Sequence, residues 1–168
     1  IHRISVNLDM GKITNFKDTY PSATSFFSEW AETGKDEGME KGHADSVNFM
    51  FDLLSPKFKN PFSALDVGCG NGWVVRKFKK TEMCKVAMGV DGADKMIQKA
   101  QGVDSSNQYF CADILQWSPF QKFNIIHSME VLYYLEDPSK LVNSIYSEWL
   151  DKAGCFIFGI DHYTENPP

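Results

Sequence analysis

The segment Asp66-Val67-Gly68-Cys69-Gly70-Asn71-Gly72 sets three glycines at alternate positions, behind a short apolar run and ahead of a run with helical spacing. Glycine has no Cβ, so such a turn lets a ligand approach the backbone closely. The helix start beyond it offers free N–H groups to a carboxylate or a phosphate. Asp91 closes the next apolar run, 19 residues after Gly72. A carboxylate there can accept both hydroxyls of a ribose; the plainer alternative is an Asp that caps the following helix. Asp113 closes a third run, placed to accept from an adenine amino group while Ile114 packs on the ring. Ser128 and Met129 close a fourth run with a small and an apolar side chain. The chemistry these residues share is the binding of an adenosine-containing ligand.

Proton-handling candidates are fewer. Asp161-His162-Tyr163 leaves the fifth run where a substrate should sit, although a polar loop start explains it equally well. His43, Glu130 and Tyr134 complete the set. Trp30 and Met39 precede His43 in a segment that could close over the site, and an aromatic face there attracts a cation.

The elements that must position these residues can be read from periodicity. Residues 1–41 are polar and irregular, and read as an N-terminal lid or extension with some helix over 25–31. The charged, glycine-containing stretch 32–42 reads as a connector. One domain then occupies 42–168. Val47, Met50, Phe51 and Leu54 repeat at helical spacing. Strands are predicted at 63–67, 86–90, 109–112, 123–127 and 155–160. Helices are predicted behind the glycines (Val74, Val75 and Phe78 on one face), over 93–101, briefly over 130–135, and after Asp137-Pro138. That last helix is expected to bury Leu141, Val142, Ile145, Trp149 and Leu150. Strands alternating with helices imply a doubly wound, mostly parallel α/β sheet with right-handed crossovers. Ligands bind such sheets beyond the carboxyl ends of the strands.

Composition narrows the partners. The chain has 168 residues, 43% hydrophobic and 23% charged, as expected of one globular domain. The formal net charge of −5 argues against a nucleic-acid partner. The basic run Arg76, Lys77, Lys79 and Lys80 reads as a helix end. Cys69, Cys84, Cys111 and Cys155 form no metal-ligand spacing, and free thiols imply a reducing, cytoplasmic setting. No apolar run approaches the roughly 20 residues that span a bilayer, so no membrane partner is expected. No metal is called for. Oligomeric state is not readable.

Two nucleotide patterns compete at the glycines. The dinucleotide fingerprint GxGxxG would need its third glycine at position 73, where this chain has Trp73. A Trp there blocks the close helix–strand packing that glycine permits, which counts against a nicotinamide oxidoreductase. The alternative, an acidic residue followed by GxGxG, fits Asp66, Gly68, Gly70 and Gly72.

The segments Ala64 to Gly72, Gly89-Val90-Asp91, Ala112-Asp113 and Phe123 to Leu132 together resemble the successive motifs of the class I S-adenosylmethionine-dependent methyltransferases. Within that family they are most similar to the small-molecule branch that includes ubiquinone/menaquinone and glycine/sarcosine enzymes. The resemblance runs from residue 62 to about 160. It implies a Rossmann-like sheet of order 3-2-1-4-5, S-adenosyl-L-methionine as cofactor and S-adenosyl-L-homocysteine as product. It also implies roles. Gly68, Cys69 and Gly70 would lie along the methionine half, with Asp66 holding the loop and the amino group. Asp91 would bind the ribose. Gly92 and Met96 would line the adenine, with Asp113 and Ile114 on its other side. Ser128 would offer its carbonyl to the ammonium, and Met129 would belong to the floor beneath the sulfonium. From their own positions rather than from the resemblance, Trp30 is expected to cover the cofactor, with Asp161, His162, Tyr134 and His43 on the acceptor side. The expected activity is in-line methyl transfer to a small molecule. Protein or nucleic-acid methyl transfer and a non-catalytic cofactor-binding domain are the alternatives. Asn124 stands where many relatives have an acid, and Tyr134 where many have a His. Two further strands of the family fold are absent, so the native protein is expected to be longer.

Overall fold

The five apolar runs become five parallel strands in the order β3-β2-β1-β4-β5. The computed structural model describes residues 22–160. Strands are β1 (Phe62–Val67), β2 (Cys84–Asp91), β3 (Gln108–Cys111), β4 (Phe123–Met129) and β5 (Leu150–Gly159); helices are α1 (Ala23–Thr33), α2 (Glu37–Leu54), α3 (Trp73–Lys79), α4 (Asp94–Val103) and α5 (Pro138–Ser144). The sheet is the doubly wound one that the sequence implies.

Alternation along the central strands sorts the core into two layers. Phe62, Ala64 and Ile125 pack with Val47, Val75, Phe78 and Ile97 on one face. Leu65, Val67 and Ile126 pack with Leu141, Ile145 and Trp149 on the other. Both central strands are apolar on both faces because helices cover both. The buried polar interruptions are Ser128 and, in register on neighbouring strands, Asp66 and His127.

Three local expectations change. The 32–42 stretch is mostly helix: α1 stops at the left-handed Gly34, and α2 starts at Glu37 and runs unbroken through Gly38 and Gly42 to Leu54. His43 therefore lies inside α2. The turn after β4 is a short 3₁₀ segment, Leu132–Tyr134, rather than an α-helix. Asp137 does cap α5, accepting from the Lys140 N–H with Pro138 in the first turn. Beyond Ser144, however, the chain widens into a π-helical turn, Ile145–Trp149. A wider turn shifts the angular phase of the side chains. Val142, in α5 ahead of that turn, is exposed and Leu150 begins β5, while Leu141, Ile145 and Trp149 are buried as expected.

Candidate active site

The end of β1 folds back on β2: the Gly68 and Cys69 N–H groups both donate to the Val90 carbonyl, at 2.8 and 3.1 Å. The three loop glycines all have positive φ, 75°, 52° and 79° at Gly68, Gly70 and Gly72. Their reasons differ. A Cβ at Gly68 would lie 2.1 Å from Val131 Cγ2, and one at Gly72 would lie 2.5 Å from the Tyr109 ring. These two serve packing. At Gly70 an added Cβ would meet only the flexible end of Met39, at 3.2 Å, so this glycine leaves the loop backbone open.

Asp91 faces that backbone. Its Oδ2 accepts from the Gly70 N–H at 2.8 Å, and its Oδ1 from the Ala93 N–H at 2.8 Å, just ahead of α4. One Asp91 oxygen thus holds the entry to α4 while the other ties down the glycine loop. A carboxylate has about four lone-pair sites, so room remains for hydroxyl donors. Burial raises the Asp91 pKa, opposed by these backbone hydrogen bonds. Burial, then the charges of Asp91 and Asp66, push the Cys69 thiol well up.

A cavity of about 1000 Å³ opens above these strand ends. It is lined by Asp66, Gly68, Cys69, Gly70, Asp91, Gly92, Met96, Asp113, Ile114 and Met129 from the sheet side, and by Trp30 and His43 from α1 and α2. Tyr134 lines it from the turn after β4. The structure does not bring Ser128 to this wall: its hydroxyl donates to the Val67 carbonyl at 2.9 Å, between strands. Asp161 and His162 lie outside the described residues. Asp113 Oδ1 accepts from the Leu115 N–H at 2.9 Å, which shapes the turn after β3.

Sequence reasoning missed His127. It is fully buried, lines the cavity and holds Asp66 Oδ1 at 2.7 Å through Nδ1, while its Nε2 has no partner among the described residues. Two polar residues interrupting adjacent apolar strands would have been the signal. Also missed was Asp36, fully buried at the head of α2. It accepts from Lys99 Nζ at 2.8 Å and from Asn71 Nδ2 at 2.9 Å. This cluster locks the start of α2 to the glycine loop and to α4. The N-terminal helix also seats closely, since a Cβ at Gly92 would come within 2.5 Å of Thr24 Cγ2.

The family model described as a methyltransferase domain matches residues 36–159. The chain belongs to that family. With its sheet order and glycine loop, it is a class I S-adenosylmethionine-dependent methyltransferase domain. Among similar proteins, a protein arginine N-methyltransferase of Oryza sativa subsp. indica is 25% identical over 82% of this chain and 22% of its own length. A ubiquinone biosynthesis O-methyltransferase of Rhodopseudomonas palustris is 27% identical over 64% of this chain and 47% of its own. The DhpI–SAH complex superposes with a TM-score of 0.64 at 16% identity, over 80% of this chain and 65% of that one. The methyltransferase domain thus spans less than half the length of either curated relative.

The residues present fit the family's cofactor. S-adenosylmethionine carries ribose hydroxyls for a buried carboxylate, and an ammonium and a sulfonium for an acid-lined, aromatic-walled cavity. The open backbone at Gly70 and the spare acceptor capacity of Asp91 meet the first need. Asp66 and the aromatic side chains meet the second. Among the described residues, no helix is long and apolar enough to cross a membrane and no group of side chains could hold a metal. The four cysteines are free.

Proposed function

We propose that this domain binds S-adenosyl-L-methionine in the cavity above β1, β2 and β4 and directs its methyl group to a small-molecule acceptor. The observation that carries the reading is the Asp91 carboxylate set against the open Gly70 backbone at the sheet's switch point. When bound, the cofactor supplies a methyl group on a positively charged sulfur, open to in-line displacement. The chain's own residues bind and orient. Asp91 would accept from the ribose hydroxyls, with Gly68, Cys69, Gly70 and Asp66 along the methionine half. Gly92, Met96, Asp113 and Ile114 would hold the adenine. Met129 would lie beneath the sulfur, and Trp30 would cover it and exclude water. Holding nucleophile and methyl on one line is the larger part of the catalysis. His43 and Tyr134 stand within the cavity wall as the groups to carry an acceptor proton, and Asp161 and His162 complete the proposed set.

The similarity to a protein arginine methyltransferase supports a second reading, a protein acceptor. The net charge of −5 supports neither DNA nor RNA.

Calorimetric titration with S-adenosylmethionine, with NAD as control, tests the cofactor. Micromolar binding of the first and none of the second is expected, and no binding by a folded chain would withdraw the reading. Labelled methyl groups recovered in the ultrafiltrable fraction of a mixed acceptor pool would support a small-molecule acceptor. Recovery only on protein would favour the second reading.

A further inference from the structure

We infer that the acceptor is a cationic amine, received against a row of aromatic rings that ends on the carboxylate of Glu130. The inference rests on the methyl-transfer reading above and names the substrate class of the same cavity.

The charge of the cavity comes first. Among the described residues its wall contains four carboxylates, Asp66, Asp91, Asp113 and Glu130, and neither Lys nor Arg. Three of the four are engaged close to the sheet: Asp66 with His127, Asp91 with Gly70 and Ala93, Asp113 with Leu115. Glu130 lies beyond the end of β4 and is engaged there, accepting from the Tyr133 hydroxyl. A wall of one sign, with low-dielectric sides, concentrates cations and repels anions.

The aromatic row comes second. Phe26 meets Trp30 at 5.1 Å between ring centroids, and Trp30 meets Phe27 at 5.7 Å. Phe27 meets Tyr134 at 5.4 Å, and Tyr134 meets Tyr133 at 4.3 Å. All five rings line the cavity. Three of them keep much of their surface uncovered, 39% for Phe26, 50% for Tyr133 and 46% for Tyr134, while Phe27 and Trp30 are half-buried. A cation over such faces is attracted by the ring quadrupole, and more strongly where water is excluded.

Glu130 is the third observation. It is the one non-glycine with positive φ among the described residues, at 58°, and ordinary side chains rarely adopt that conformation. Such a residue is held by its surroundings, and here its N–H donates to the Gly159 carbonyl at 3.0 Å. Its Oε2 accepts from the Tyr133 hydroxyl at 2.6 Å. Burial foremost, then that hydrogen bond, holds the Tyr133 phenol far above its ordinary range. Tyr133 therefore stays a donor, and orients Glu130 rather than competing with it as a base. His43 of α2 faces the same space.

The chemistry balances. The amine arrives as an ammonium ion and gives one proton to Glu130 or to water. The freed nitrogen lone pair forms the N–C bond as the C–S bond breaks, with that bond's electron pair left on sulfur. The product is a methylated ammonium ion beside a neutral thioether.

Three probes of one size and different charge test this: benzylammonium, benzyl alcohol and benzoate, each titrated into the full chain with saturating S-adenosylhomocysteine. Benzylammonium should bind about tenfold or more tightly than benzyl alcohol, and benzoate should not bind. Glu130→Gln, which keeps the side-chain shape, should bring benzylammonium down to the level of the alcohol. Tyr134→Leu should weaken the cation more than the alcohol. Equal binding of ammonium and alcohol, preferred binding of benzoate, no binding of any probe, or an unchanged Glu130→Gln would each overturn the inference. S-adenosylhomocysteine binding, measured on the same samples, separates the two claims. Its failure removes the cofactor reading, whereas its success without a charge preference removes only the amine.

Discussion

The two ends of the cavity are built by different means. At the β1–β2 end, position is fixed by backbone: N–H groups on the Val90 carbonyl, glycines at positive φ, and Asp91 clasping the Gly70 and Ala93 amides. At the β4–α1 end, position is fixed by side chains from segments remote in sequence, such as Phe27 against Tyr134. A backbone-built rim tolerates little change and suits a ligand that never varies. A side-chain-built wall can be re-lined without disturbing the sheet, and suits a ligand that distinguishes one relative from another.

The sharpest way to break this contrast is Gly68→Ala. The new Cβ would strain the left-handed backbone and strike Val131. A loss of about 2–4 kcal/mol is expected, read from urea unfolding. A variant as stable as wild type would mean that the loop yields, and the rim would then be no more rigid than the wall. Asp91→Ala comes next: removing a charged acceptor should cost about a hundredfold in S-adenosylhomocysteine affinity, by calorimetry. Asp36→Ala probes the joint between the two ends. It strips partners from Lys99 and Asn71 and should cost about 1–3 kcal/mol, with faster proteolysis near α1. The smallest effect is a pH dependence. The hydrogen bond that Lys99 donates to Asp36 holds the Lys99 pKa above the ordinary lysine value. A raised lysine pKa means the folded state keeps its proton longer. The contact therefore contributes fully below the ordinary value and is lost as pH rises through the raised one. The stability gap between wild type and Lys99→Met should narrow in that alkaline range.

The contrast also explains what could be read from sequence. The glycine spacing, Asp91 and the strand periodicity are local, so the glycine loop and the strands were legible, whereas the sheet order came from the family resemblance. The start of α2 was not. Gly38 and Gly42 each disfavour helix by about 1 kcal/mol relative to Ala, and nothing nearby in sequence announces the burial of Asp36 against Lys99 and Asn71. The π-helical turn was equally hidden, because a widened turn depends on how Ile145 and Trp149 fit the sheet. His127 stood in plain view within the fourth apolar run. Only the parallel register with Asp66 turns it from an odd residue in a strand into half of a buried pair.

Beneath the glycine loop, Gly89 of β2 makes space for Cys69, whose sulfur would lie 2.6 Å from an added Cβ. That thiol is buried and its pKa is raised, whereas Cys111 is exposed at the end of β3. Alkylation by iodoacetamide in the native state should therefore label Cys111 first and leave Cys69 silent. Mapping modified cysteines by peptide mass then becomes a gauge of loop integrity. A Cys69 that reacts reports that the loop has lifted from Val90, with no ligand needed to see it.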